Sequence, residues 1–132
     1  MPYFIVQASD NNCLYLTCEG DVTLGEMTAA WQEVRELLAV NGWKKVLLDV
    51  TALESSLQME HVFDLAKLFW KEFPKDGRIA LVIRWDHQKS AALLEMLVRC
   101  VGIYLTVFVS QDLAEAWILE NATAGELAEL SH

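Results

Sequence analysis

Ser55 and Ser56 are the side chains of this sequence best placed for chemistry. In the segment KVLLDVTALESS, residues 45–56, an apolar strand ends at Asp49 and a short polar turn carries the two hydroxyls to the start of a helix. Ligands and partners of open α/β sheets meet the chain there, just beyond the carboxyl ends of strands. The same letters also spell an ordinary helix start, with Ser55 as N-cap and Gln58 completing a capping box. Asp86-His87 and His61-x-x-Asp64 each bring a carboxylate near an imidazole, yet neither has the ligand count of a metal site or a nucleophile beside it. No glycine-rich phosphate loop follows a strand, and no GxSxG elbow occurs. Cys13, Cys18 and Cys100 have no metal or redox spacing; they are expected reduced and structural, with Cys13 and Cys18 on opposite faces of one strand. The sequence therefore predicts no enzyme, no metal and no cofactor.

The elements that must position these residues follow from pattern. Residues 3–8 and 13–19 read as two strands around the turn-rich Ser9, Asp10, Asn11 and Asn12, an N-terminal hairpin. Thr23 followed by Glu26 is a capping box that opens a helix through Ala39, closed by Asn41-Gly42. The runs 46–50, 79–83 and 104–109 lack polar alternation, as strands covered on both faces do, and predict a central parallel set. Helices are expected over residues 58–73, stopped by Pro74, and 88–101, stopped by Gly102. A last helix starts after the N-cap Ser110, with Asp112 in its first turn, and runs to about Leu119; one more helical turn is expected around residues 126–130. The order ββαβαβαβα predicts one α/β domain over residues 1–132, a five-stranded mixed sheet with right-handed later crossovers.

Two of these helices are unusually apolar. On the 58–73 helix, Met59, Val62, Phe63, Leu65, Ala66, Phe69, Trp70 and Phe73 fill almost half the circumference. A core-facing helix explains that arc, and its aromatic load also suits a pocket between helix and sheet, or an interface. On the 88–101 helix, Leu93, Leu94, Met96, Leu97, Val98, Cys100 and Val101 fill most of the circumference, so cover is expected on more than one side. A neighbouring helix, a lipid, a second subunit or a membrane surface could supply it. Trp85, just before this helix, is a candidate rim anchor. The expected apolar-ligand or interface residues are Phe63, Phe69, Trp70, Phe73, Trp85, Leu94, Leu97 and Val98.

Composition narrows the partners. A net charge of −9 excludes binding driven by neutralising phosphates, so no nucleic acid is expected. It also disfavours broad adsorption to anionic lipid, while leaving apolar insertion open. A hydrophobic fraction of 54% is high for a chain of 132 residues and predicts apolar surface left for a homodimer, a regulatory protein, an apolar small molecule or a peripheral membrane contact. The N-terminus has neither the basic nor the apolar region of a signal peptide, and a cytoplasmic location is expected.

The element order, with Gly20-Asp21-Val22-Thr23 leading into the first helix, Val46-Leu47-Leu48-Asp49 on a central strand, Arg78-Ile79-Ala80-Leu81-Val82 on the next, and Val107-Phe108-Val109 before Leu113-Ala114-Glu115-Ala116-Trp117-Ile118, resembles the SpoIIAA-like group of STAS-like domains, relatives of anti-sigma factor antagonists. The resemblance covers residues 3–119. It implies a non-enzymatic α/β binding or regulatory module. In the antagonists an Asp-Ser-Ser-Gly sequence begins the second helix and its second serine is phosphorylated. Glu54-Ser55-Ser56-Leu57 stands there in this chain, so the resemblance implies Ser56 as the acceptor, next to Ser55. Leu57 replaces the glycine, and the loop between Asp49 and the serines is shorter. The shorter-looped relatives are linked by similarity to apolar ligands and membrane association.

Overall fold

The computed structural model describes residues 3–8, 12–53 and 59–119. The elements in chain order are β1 (Tyr3–Ala8), β2 (Cys13–Gly20), α1 (Leu24–Asn41), β3 (Lys45–Leu53), α2 (Met59–Glu72), β4 (Arg78–Val82), a 3-10 turn (Trp85–His87), α3 (Gln88–Arg99), β5 (Tyr104–Phe108) and α4 (Gln111–Leu119). Residues 9–11, where the β1–β2 turn was expected, and residues 126–130 lie outside the described residues.

Sheet order is β1-β2-β3-β4-β5, with β1 antiparallel to β2 and β2 to β5 mutually parallel. Every parallel crossover steps the same way across the sheet, so right-handed connection puts α1, α2 and α3 on one face. The register aligns Leu14, Val46, Ile79 and Leu105 on that face, and all four are fully buried. Trp31 of α1 and Phe69 of α2 meet above them edge to face, 4.6 Å between ring centroids. The Trp31 Nε1–H, buried in this apolar layer with no acceptor among the described residues, opposes part of the gain from burial. Among the described residues no further strand follows β5, and α4 folds back over the opposite face, burying Cys13, Leu47, Ala80, Ala114 and Ile118.

Local chemistry sets the boundaries. Thr23 Oγ1 accepts from Glu26 N–H while Glu26 accepts from Thr23 N–H, the reciprocal box read from the letters. Asn41, expected beyond the helix, is its last residue; Gly42 at φ 70° then turns the chain, and both Gly42 and Trp43 N–H donate to Leu38 O. On the exposed edge of β5, Arg99 donates to Leu105 O and Thr106 Oγ1, each at 2.8 Å, and pairs with Glu95. A cation so placed blunts an open sheet edge.

Gly77, between α2 and β4, has no space for a Cβ, which would collide with the Phe73 ring and crowd Pro74 O at 2.8 Å. Gly77→Ala is expected to cost about 1–3 kcal/mol, the usual penalty for forcing a packed site apart. A urea midpoint unchanged from the parent protein would show that the Phe73 ring swings aside freely.

Candidate functional site

The strand containing Asp49 does not stop there. It continues through Thr51, Ala52 and Leu53, across a register shift in which two residues of β3, Val50 and Thr51, face one of β2, Cys18. Asp49 Oδ1 accepts from both Thr51 N–H (2.9 Å) and Thr51 Oγ1–H (2.7 Å), so the carboxylate stabilises this bulge instead of marking the end of the strand. The polar letters read as a turn are the last residues of β3. Ser55 and Ser56 fall at residues 54–58, outside the described residues.

At the same end of the sheet, Ile83 N–H donates to Phe108 O and holds the two strand ends together. After β4 the chain makes the Trp85–His87 turn, which leaves Trp85 78% exposed. After β5, Val109 is 54% exposed, and Ser110 Oγ accepts from Leu113 N–H to start α4 with Leu113 63% exposed. Phe63, near the start of α2, is 52% exposed. Four large apolar side chains therefore stand out at the carboxyl end of the parallel strands. Glu19, Asp21, Asp64, Asp86 and Asp112, all exposed, lie on the segments at the same end of the sheet.

Asp86 and His87 are placed for structure. Arg84 forks onto Asp86 at 3.1 and 3.2 Å, and its Nη2 also lies 3.3 Å from His87 Nε2. Desolvation pulls the Asp86 carboxyl upward, but the Arg84 hydrogen bond, the backbone amide and the neighbouring cationic charge together hold it below the usual range. No group of His, Cys, Asp or Glu among the described residues could hold a metal ion. The buried His87 closes one side of an apolar void lined also by Leu65, Phe69 and Leu94. That void is about 40 Å³, far short of the roughly 300 Å³ at which small-molecule sites begin.

The apolar residues expected from the two helices separate into two sets. Phe69, Phe73, Leu94 and Val98 are buried in the core between helices and sheet, and Leu97 is packed against it. Phe63, Trp70 and Trp85 face outward. Phe63 and Trp70 lie seven residues apart, on one face of α2. Trp70 reaches across to α3, where its Nε1–H donates to Leu97 O at 3.3 Å. The broad apolar surface of α3 is covered by α2 and β5, leaving Met96 exposed. Val109 and Leu113 were not singled out from the sequence as surface residues, although the Ser110 cap fixes Leu113 in the exposed first turn of α4. Cysteine placement also splits: Cys13 and Cys18 are buried on opposite faces of the sheet as expected, whereas Cys100 is exposed. No described helix is long and apolar enough to cross a membrane.

No family model matches the chain, and no curated protein does. Among solved structures, the fold is similar to that of an anti-sigma factor antagonist from Mycobacterium paratuberculosis, with TM-score 0.57 and 15% identity over 88% of this chain and 92% of that one. It is also similar to an uncharacterised protein of the DUF3478 family from Shewanella loihica, described as having a SpoIIAA-like fold. There the TM-score is 0.55 and the identity 21%, over 88% of this chain and 91% of that one. The chain thus has a SpoIIAA-like α/β fold.

Proposed function

We propose that this chain is a regulatory module that acts by binding a protein partner at the carboxyl end of its sheet, with no chemistry of its own. The observation that carries the reading is the exposure of Trp85, Val109 and Leu113 just beyond the ends of β4 and β5, with exposed carboxylates on the segments at the same end of the sheet. Exposed aromatic anchors surrounded by polar groups are the usual make-up of an interface centre and its rim. The charge of these carboxylates selects a partner with a basic surface around an apolar patch, and predicts association that slows as salt is added. Phe63 and Trp70 would extend this surface along α2.

The likeness in fold to an anti-sigma factor antagonist supports a regulatory role and suggests an anti-sigma factor as one class of partner. It also favours a second element of the same reading, control by phosphorylation at Ser56. The described chain brackets that residue between Leu53, the end of β3, and Met59, the start of α2. A phosphate there would add nearly two negative charges to those of the carboxylates. An apolar ligand or membrane has less support, since the space beneath α2 is nearly filled.

A photo-crosslinking residue placed in turn at Trp85, Leu113 and Val40 tests the surface in cells, because Val40 is equally exposed but sits at the opposite end of α1. One protein is expected to be captured from Trp85 and Leu113 and not from Val40, with its yield reduced in Ser56→Asp. Capture independent of position, or none from the carboxyl-end sites, would sink the partner reading; capture indifferent to Ser56→Asp would sink only the switch.

A further inference from the structure

The opposite end of the sheet holds an open cleft of about 380 Å³ between the carboxyl-terminal ends of α1 and α2. We propose that this cleft binds a small amphiphilic anion, a carboxylate, sulfonate or phosphate carried on a compact apolar body.

Its shape follows from two helix stops. The left-handed Gly42 reverses the chain after α1 and brings Trp43 back beside Leu38, while Pro74 ends α2 just after Phe73. Leu38, Trp43, Phe73 and Pro74 supply apolar walls. Lys44 and Lys71 line the cleft between them, and both side chains are exposed, with no ion-pair partner among the described residues. The one carboxylate of the lining, Glu72, is buried and already held by Arg35 at 3.1 Å, so it leaves the two ammonium charges uncompensated.

Helix carboxyl termini ordinarily repel anions, and this end has two of them. At α1, however, two carbonyl groups near that end are occupied. Leu38 O accepts from Gly42 and Trp43 N–H, and Leu37 O accepts from the Asn41 side chain at 2.8 Å. Lys71 lies in the last turn of α2 and offsets that dipole. Two lysines bordering an apolar cleft, in a chain of net charge −9, select for a negative head with an apolar body. The volume lies at the lower end of the range for small-molecule sites, enough for a fused ring or a short acyl chain.

Anilinonaphthalene sulfonate, a fluorescent aromatic anion, probes the site directly. One saturable site is expected on the folded protein. Lys44→Glu and Lys71→Glu should each weaken it about tenfold, and Lys71→Met, which keeps the apolar stem, should do nearly the same, since each removes one charged contact. Trp70→Ala and Trp85→Ala alter other exposed apolar surfaces and should leave the affinity unchanged. Neutral phenylnaphthylamine should bind at least about tenfold more weakly than the sulfonate. Displacement by octanoate or by octyl phosphate supports the site and identifies its preferred head group; failure of both overturns it. Equal binding of the neutral dye, or indifference to the lysine substitutions with unchanged circular dichroism, also overturns it.

Discussion

Phe69→Ala is expected to lower the unfolding free energy by about 4 kcal/mol, within the range for emptying a buried aromatic site. Phe69 is 1% exposed, its ring meets the edge of Trp31, and it borders the 40 Å³ void beside Leu65 and Leu94. Truncation removes the apolar contacts of the ring and joins its volume to a space already empty, where neighbours held by the sheet cannot collapse to fill it. For a domain with roughly 5–15 kcal/mol of total stability, such a loss moves the urea midpoint far without changing the slope of the transition. The enlarged, dry cavity should then take up benzene, and added benzene should restore part of the stability. Trp70→Ala, one residue further along α2, is the control. Trp70 is partly exposed and donates one hydrogen bond to Leu97 O, so its removal should cost only about 1 kcal/mol from that bond. Equal effects of the two substitutions would mean that α2 does not pack on the sheet by its Phe69 side.

That contrast also marks how far the letters could be read. Period and capping are local, so they located α1 from Thr23 and Glu26, and they placed Phe69, Trp70 and Phe73 together on one apolar arc of α2. What they could not divide was the arc itself. A residue at its centre and one at its edge have the same hydrophobicity, but the tilt of the helix on the sheet buries Phe69 and Phe73 and leaves Phe63 and Trp70 outside. The sheet order supplies that information, because it depends on which strands pair across distances of thirty residues or more. The same limit explains the misread β3. Asp49 and Thr51 look like turn formers in isolation, yet they bond to each other at a bulge created by pairing with β2. The carboxyl-end site depends on such pairing: Trp85 is far in sequence from Val109 and Leu113, and only the pairing of β4 with β5 brings their segments to one end of the sheet. The cleft is different, since Gly42 and Pro74 are visible stops; what was missing was that α1 and α2 end side by side.

Raising the pH from 8 to 10.5 is expected to remove about 4 kcal/mol of stability, through two thiols that the fold keeps protonated. Burial pushes Cys13 from the usual 9.0 up to about 12, against smaller opposing effects of a hydrogen bond from the Leu47 backbone and the charges of Lys45 and Arg78. Burial likewise raises Cys18 to about 12, with the nearby Asp49 adding to it. The unfolded chain releases both protons from about pH 9, whereas the folded chain holds them to about pH 12. Between those limits the folded state binds more protons, so stability is fully present below pH 9 and falls as pH rises, by about 1.4 kcal/mol per pH unit for each thiol. Tyr15, raised by burial and by the neighbouring Cys13 and Glu115, acts in the same direction; Lys45, lowered by burial and by Arg78, acts against it. The ion pairs Arg35–Glu72, Arg84–Asp86 and Arg99–Glu95 all use guanidinium groups, which stay charged throughout, so they do not contribute to the loss. Urea titrations across this range should show the steep fall in the parent protein, and Cys13→Ala and Cys18→Ala should each reduce the slope by about half. Alkylation of the native protein at pH 8 should give one adduct, at the exposed Cys100, and three after unfolding. A parent protein equally stable at both pH values, or native alkylation at all three thiols, would show that the two sheet faces do not exclude solvent from Cys13 and Cys18.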